Sequence, residues 1–170
     1  IGWTGTFTSK RFLDMLRPAF LELKKRRDFK LLVIGNFDYD FPEMNVEVVH
    51  WKKETEIEDL QRIDIGVYPL PQEDWVLGKS GLKVIQYMAM SLPTISTNYG
   101  TAQEIISHGE NGFLANSDDE WVELLTKLID DHQLRQDLGR NARQTVEERY
   151  STGVVKEQYL RVLTQVFHSA

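Results

Sequence analysis

Six short apolar runs, separated by stretches of helical periodicity, constrain most strongly what this 170-residue chain can fold into. They are Ile1 to Gly5, Phe29 to Ile34, Val46 to Trp51, Ile63 to Leu70, Thr94 to Thr97 and Gly112 to Ala115. Phe29 to Ile34 is almost continuously apolar, as a strand must be when helices cover both of its faces. Between the runs, residues such as Phe12, Leu16, Phe20 and Leu23 recur at helical spacing. This rhythm predicts an α/β fold: a doubly wound, Rossmann-like parallel sheet of about six strands with helices on both faces, then a C-terminal helical segment. In such sheets ligands bind outside the carboxyl ends of the strands.

The helical stretches carry their own expectations. The first is predicted from about Ser9 to Arg27, with Pro18 kinking or splitting it. Lys24, Lys25, Arg26 and Arg27 then fall in its last turn, where cations suit the helix dipole. Glu54 to Arg62 and Ala102 to Ser107 read as short helices. Pro69, Pro71, Glu73 and Asp74 mark a loop, and Asn111-Gly112 a turn. The remainder is predicted helical over Asp118 to Asp130, Gln133 to Arg149 and Val154 to Phe167, with Gly139 a weak spot. In the last of these, Val154, Val155, Tyr159, Val162, Leu163 and Val166 predict an exposed apolar patch.

Composition narrows the function classes. The length suits one domain, 1–170, with a full core. No window is apolar enough to span a bilayer, and no signal peptide is visible. The chain has no cysteine, which excludes disulfides and thiolate metal sites and fits a reducing compartment. His50, His108, His132 and His168 show no metal-ligand spacing, so no metal is expected. A net charge of −6 argues against a general nucleic-acid surface, so any phosphate site must be a local positive pocket. The chain opens on a strand-like Ile-Gly-Trp, without Met or leader, and reads as a piece of a longer protein cut at a domain boundary.

The segment from Gly78 to Met90, followed by Ser91-Leu92-Pro93, carries the chemistry. It reads as a glycine-bearing loop, a helix and a short strand. Lys79, Lys83 and Gln86 follow i, i+4, i+7 and would share one helix face. Val84, Ile85, Met88 and Ala89 would pack on the sheet. Ser80 is a candidate cap, and Gly81 would let a ligand approach the first free N–H groups. With the helix dipole and two lysines, this makes a site for a phosphorylated ligand. A solvated helix start with surface lysines is the alternative.

The run Gly-Lys-x-Gly-x-Lys-x-x-Gln-Tyr-Met-Ala resembles the nucleotide-sugar-binding helix of one branch of the retaining GT-B glycosyltransferases of group 1. The matching residues are Gly78, Lys79, Gly81, Lys83, Gln86, Tyr87, Met88, Ala89 and Pro93. The resemblance implies the C-terminal, nucleotide-sugar-binding half of such an enzyme, with the N-terminal acceptor domain and its catalytic residues missing. It implies diphosphate contacts from Gly5, Lys10, Lys79, Ser80, Gly81, Leu82 and Lys83. Arg11 stands beside Lys10, and Thr6 stands where many members have arginine. From the residues alone, Thr8 or Ser9 capping a helix with Lys10 in solvent is an equal reading.

The same resemblance places ribose at Gln86, where many members have glutamate, and the nucleobase near Gly35, Asn36, Trp51 and Lys52. A lone tryptophan such as Trp51 is by default a core residue. The family's other glutamate aligns with Gly78, and Glu73 or Asp74 lie a few residues upstream. Asn98 to Thr101 with Glu104 resembles a further family loop, equally explained by capping and rigidity. Implied chemistry is retaining transfer from a UDP- or GDP-sugar without metal or cofactor, in glycan or cell-surface polysaccharide synthesis. The implied location is cytoplasmic or peripheral at the inner membrane face, and the fragment is expected to be inactive alone. Its implied partners are the nucleotide sugar and the missing domain of the same chain. Two rivals are a free-standing nucleotide-binding or regulatory module and a nucleotide-sugar epimerase of the same architecture.

Overall fold

All six strands run parallel in the computed structural model, which describes residues 1–169. They are β1 (Gly2–Thr4), β2 (Leu31–Gly35), β3 (Val46–His50), β4 (Gly66–Tyr68), β5 (Thr94–Thr97) and β6 (Phe113–Ala115). Their order across the sheet is β3-β2-β1-β4-β5-β6. The chain steps outward from β1 to β3, then returns to the other side of β1, so the topological switch lies between β1 and β4. The helices are α1 (Lys10–Asp14), α2 (Arg17–Lys24), α3 (Glu56–Leu60), α4 (Leu82–Ala89), α5 (Ala102–Ile105), α6 (Asp118–Asp130), α7 (His132–Arg149) and α8 (Thr152–Ser169).

The predicted architecture is therefore the observed one. β2 shows why its sequence is continuously apolar. Leu31 and Val33 join the core under α2 and α6, with Phe20, Leu23, Trp121 and Leu125. Leu32 and Ile34 point to the other face and pack with Leu60, Ile63 and Tyr87. Alternate residues face opposite sides of a strand, so both sets must be apolar. A third cluster joins α4, α5 and α7 through Val84, Met88, Ile105, Ala142 and Val146.

The split at Pro18 is the expected one, while two other boundaries differ from expectation, each for a physical reason. The stretch from Ser9 to Arg27 is two α-helices, with Leu16 as N-cap of α2 and Pro18 in its first turn. The missing proline N–H has no intrahelical partner at that position, so the chain breaks just before it. Of the four cations, only Lys24 lies inside α2. Lys25 and Arg26 pair with Glu22 at 2.7 and 2.9 Å, and Arg27 reaches Asp130 of α6 at 2.5 Å. Finally, the run from Ile63 to Leu70 is a strand only at Gly66–Tyr68. Beyond it the ladder gives way to a side chain: the Leu70 N–H donates to the Thr97 hydroxyl at 2.9 Å.

Gly139 is not a weak spot, because α7 runs unbroken through it. A Cβ there would collide with the Ser91 carbonyl, so the glycine lets α7 seat on the turn after α4. Ser91 has φ 58°, and its N–H and that of Leu92 donate to the carbonyls of Met88 and Tyr87, both at 3.0 Å. This is a Schellman C-cap with serine where glycine is usual. In α8, Val155, Tyr159, Val162, Leu163 and Val166 are exposed, as the sequence predicts. None of the described helices is long and apolar enough to cross a membrane.

Candidate functional site

A cleft of about 450 Å³ opens at the carboxyl ends of β1, β2 and β3. Its walls are Thr4, Gly5, Thr6 and Phe7 after β1, Asn36 after β2 and Trp51 after β3. Glu56 of α3 and Lys83 and Gln86 of α4 complete it. Five chain segments thus meet where a doubly wound sheet binds ligands.

The start of α4 decides which polar residues reach the cleft. Gly81 is the N-cap, with φ 66°, a left-handed conformation that costs glycine nothing. A Cβ on it would also lie 2.5 Å from Ile105 Cδ1. Lys79 is extended (φ −82°, ψ 137°) and precedes the helix, so it does not share a helix face with Lys83 and Gln86 as the spacing predicts. Its N–H donates to the Val76 carbonyl at 2.9 Å, and its carbonyl accepts the Thr101 hydroxyl proton. Those bonds hold the segment off the helix. Ser80 makes no capping bond, and Leu82 is the exposed first residue of α4. The Gly81 carbonyl accepts the Ile85 N–H at 3.2 Å, so helix geometry leaves the N–H groups of Leu82, Lys83 and Val84 without intrahelical acceptors.

Lys83 is half-buried, and its Nζ lies 5.7 Å from the Trp3 ring centroid. Burial pulls its pKa below the ordinary lysine value, and the nearby charge of Lys79 adds to this. No described carboxylate pairs with it. An ammonium with its counter-ion missing, beside helix-start N–H groups, is suited to a phosphate. Gln86, one turn on, has a side-chain amide free of bonds to described residues and can both donate and accept.

Tyr87 braces this wall. It is fully buried, and its hydroxyl accepts the Thr4 N–H at 2.8 Å. Burial pushes its pKa well up, keeping the phenol neutral. This bond ties α4 to the end of β1, so two walls of the cleft are fixed to each other. Gly5 and Gly35 end adjacent strands, and a Cβ on Gly35 would lie 2.6 Å from the Gly5 carbonyl oxygen.

Of the residues singled out from the sequence, the cleft gathers Gly5, Asn36, Trp51, Lys83 and Gln86. Trp51 is 38% exposed and lines the cleft rather than joining the core. Lys10 lies elsewhere, with Nζ 5.6 Å from the Tyr39 ring centroid. Lys79 sits over Trp75 and Phe12, and Lys52 is exposed outside the lining. The β1 loop is closed by Ser9, whose hydroxyl oxygen accepts the Thr6 N–H at 2.9 Å and donates back to the Thr6 carbonyl at 3.0 Å. Glu73 accepts the Trp75 indole N–H, and Asp74 is exposed; neither lines the cleft. Asn98 binds Gln103 at 3.0 Å and Thr101 binds Lys79, so that loop has structural partners of its own.

Phe7, Glu56 and Tyr87 were not singled out as site residues. An aromatic two residues beyond Gly5 in an otherwise polar loop was the available signal for Phe7. A tyrosine among the apolar positions of α4 was the signal for Tyr87. Glu56 carries none, because only the fold of α3 brings it to the cleft.

A second cavity, about 340 Å³, lies at the opposite ends of the strands near Ile1, Lys30, Glu47 and Arg62. Lys30 and Arg62 there both pair with Glu47. Among the described residues, no group of three or more His, Cys, Asp or Glu could hold a metal ion.

Residues 1–131 match the family described as glycosyl transferases group 1. The capsular polysaccharide biosynthesis glycosyltransferase CapM of Staphylococcus aureus is 29% identical, over 93% of this chain and 44% of its own length. The N-acetyl-alpha-D-glucosaminyl L-malate synthase of Bacillus anthracis is 30% identical, over 88% of this chain and 41% of its own. The chain therefore spans less than half the length of these relatives. Among solved structures, the C-terminal domain of the group 1 protein LpcC from Francisella tularensis superposes with TM-score 0.68 at 23% identity, covering 89% of this chain and 86% of its own. HepE of Anabaena, solved with UDP-glucose, superposes with TM-score 0.74 at 15% identity over 96% of this chain and 48% of its own. At these identities the superpositions establish the shared fold.

Proposed function

The chain belongs to the group 1 glycosyltransferases, and on that premise we propose that it is the donor-binding half of a two-domain enzyme. The cleft at β1–β3 holds the nucleoside diphosphate of a sugar donor. Lys83 and the first N–H groups of α4 take the diphosphate, with Gly5 allowing its close approach. In this reading the Lys79-Ser80-Gly81-Leu82 segment adds contacts to the diphosphate, and Lys10, the first residue of α1, adds a further charge. Gln86 takes the ribose hydroxyls. Asn36 and Trp51, with Gly35 and Lys52, take the base.

One observation carries this reading: an unpaired, half-buried Lys83 shares a cleft with Gln86 and Trp51. Chemically, fixed N–H groups and a desolvated ammonium stabilise the charge that develops on a leaving diphosphate, and a preorganised site does so without reorientation. That suits transfer with retention at the anomeric carbon from a UDP- or GDP-sugar, with no metal or cofactor needed to neutralise the leaving group. The acceptor and its catalytic groups belong to the other half of the enzyme. Alone, this chain binds the donor and transfers nothing; sugar transfer by the 170-residue chain would overturn that part.

Calorimetric titration with UDP, GDP and ADP tests the reading. Binding of one nucleotide in preference to the others is expected. Failure of all three to bind, both here and in the full-length protein, would refute it.

A further inference from the structure

Glu56, the first residue of α3, is half-buried in the wall of the β1–β3 cleft. Among the described residues its carboxylate has neither a cation nor a hydrogen-bond donor for a partner. Lys83 in the same lining is unpaired as well, so the cleft holds one charge of each sign and the two do not meet. A ligand that fills the cleft must bring an anion for one and N–H or O–H donors for the other. An ionised carboxylate only accepts, and its two oxygens suit a pair of parallel donors.

The other lining residues narrow what those donors belong to. Trp51 and Phe7, 38% and 70% exposed, offer aromatic faces to a flat ring. Every nucleobase has such a face, so stacking holds a base without choosing it. The choice falls to polar groups that can read an edge. The Thr6 hydroxyl is engaged with those of Thr8 and Ser9, at 3.0 and 3.2 Å. Lys83 and Gln86 are assigned to the diphosphate and the ribose in the donor reading. Of the remaining side chains in the lining, Glu56 is the one with a charge. Asn36 adds an exposed amide without bonds to described residues, able to donate or accept.

We infer that Glu56 selects guanine as the base of the nucleotide, accepting its N1–H and a 2-amino N–H side by side while the Asn36 amide serves O6. This rests on the donor reading above. The three candidate bases present different edges. Guanine offers two adjacent donors beside one acceptor. Uracil flanks its one N–H with two carbonyls, so the second carboxylate oxygen would face a carbonyl oxygen. Adenine sets a bare ring nitrogen next to its amino group, with the same conflict. A bidentate match of this kind discriminates about 5- to 150-fold against the wrong base, part of it by repulsion of the competitor.

Calorimetry with GDP, inosine diphosphate, UDP and ADP, on this chain and on Glu56→Gln, tests the assignment. Inosine diphosphate is GDP without the 2-amino group, so it leaves one carboxylate oxygen unmatched. GDP is expected to bind the parent most tightly, with inosine diphosphate weaker by about tenfold or more. In Glu56→Gln that gap should close, because the glutamine NH2 opposes one of the two guanine donors. A carboxylate that merely stabilises the first turn of α3 would leave the ratio of GDP to inosine diphosphate affinity unchanged, and that result would overturn the assignment. Equal weakening of all four nucleotides by Glu56→Gln would put the carboxylate on the ribose and overturn it too. UDP or ADP binding more tightly than GDP would rule out guanine while leaving the donor reading intact. No binding by any of the four, here and in the full-length protein, would refute the donor reading and this assignment with it.

Discussion

Replacing Lys83 by methionine separates the cost of this side chain from its use. The change keeps an apolar stem of similar length and removes the charge. A charge-assisted hydrogen bond to phosphate contributes about 1.5–3 kcal/mol, so nucleotide should bind about 10- to 150-fold more weakly. Ligand at about a hundredfold over the parent's dissociation constant adds roughly 2.7 kcal/mol of stability to the parent, but only about 0.3–1.4 kcal/mol to the variant. At about 2–4 °C per kcal/mol for a chain of this size, several degrees of ligand-induced shift disappear.

The unliganded variant should move the other way. Burial holds the folded-state pKa of Lys83 below its unfolded value. Between those two values the unfolded chain binds more protons, so stability rises with pH there; below them the cost of the buried ammonium is fully present. Lys83→Met removes that cost, so at neutral pH the empty variant should melt higher than the parent. Parent affinity for nucleotide should fall as pH rises through the depressed pKa, and the variant should lose that dependence. Melting curves with and without UDP, GDP and ADP, repeated across pH, read all of this. A variant that keeps the parent's ligand-induced shift would refute the phosphate role; one that melts lower when empty would refute the claim that Lys83 is held at a cost.

Two further predictions concern the frame around the cleft. Tyr87→Phe strips the acceptor from the partly buried Thr4 N–H, and leaving such a donor unpaired costs about 1 kcal/mol, the low end for a buried group. Denaturant melts should show that loss, and calorimetry should show weaker nucleotide binding because the Thr4–Phe7 wall loses its anchor. Unchanged affinity would mean that the wall is held by other contacts. Ser91→Gly relieves a left-handed serine and should stabilise the chain by about 1 kcal/mol, raising the melting temperature by about 2–4 °C. A lower melting temperature would show that the serine side chain contributes more than its backbone strain costs.

The strand–helix rhythm was legible because burial leaves a local trace. A strand covered on both faces must be apolar throughout, as Leu31 to Ile34 are, and a helix on a sheet must repeat like Phe20 and Leu23. Proline is equally local: Pro18 lacks an N–H wherever it stands, so a break near it was readable. Boundaries were less so. Gly139 looked like a flaw in a helix because the Ser91 carbonyl that requires it lies in a turn almost fifty positions earlier.

The candidate site divides along the same line. From sequence alone came the α/β alternation, the placing of ligands at the carboxyl ends, and a segment holding Lys83 and Gln86 one turn apart on one side of a helix. Those follow from periodicity, which each residue carries with it. Only tertiary structure decided that Lys79 leaves the helix for Trp75 and Phe12, and that Phe7, Trp51 and Glu56 enclose the cleft. The start of α4 is set by Thr101, whose hydroxyl holds the Lys79 carbonyl from 22 residues away, and by Ile105 against Gly81. A window of sequence cannot contain both partners of such a contact.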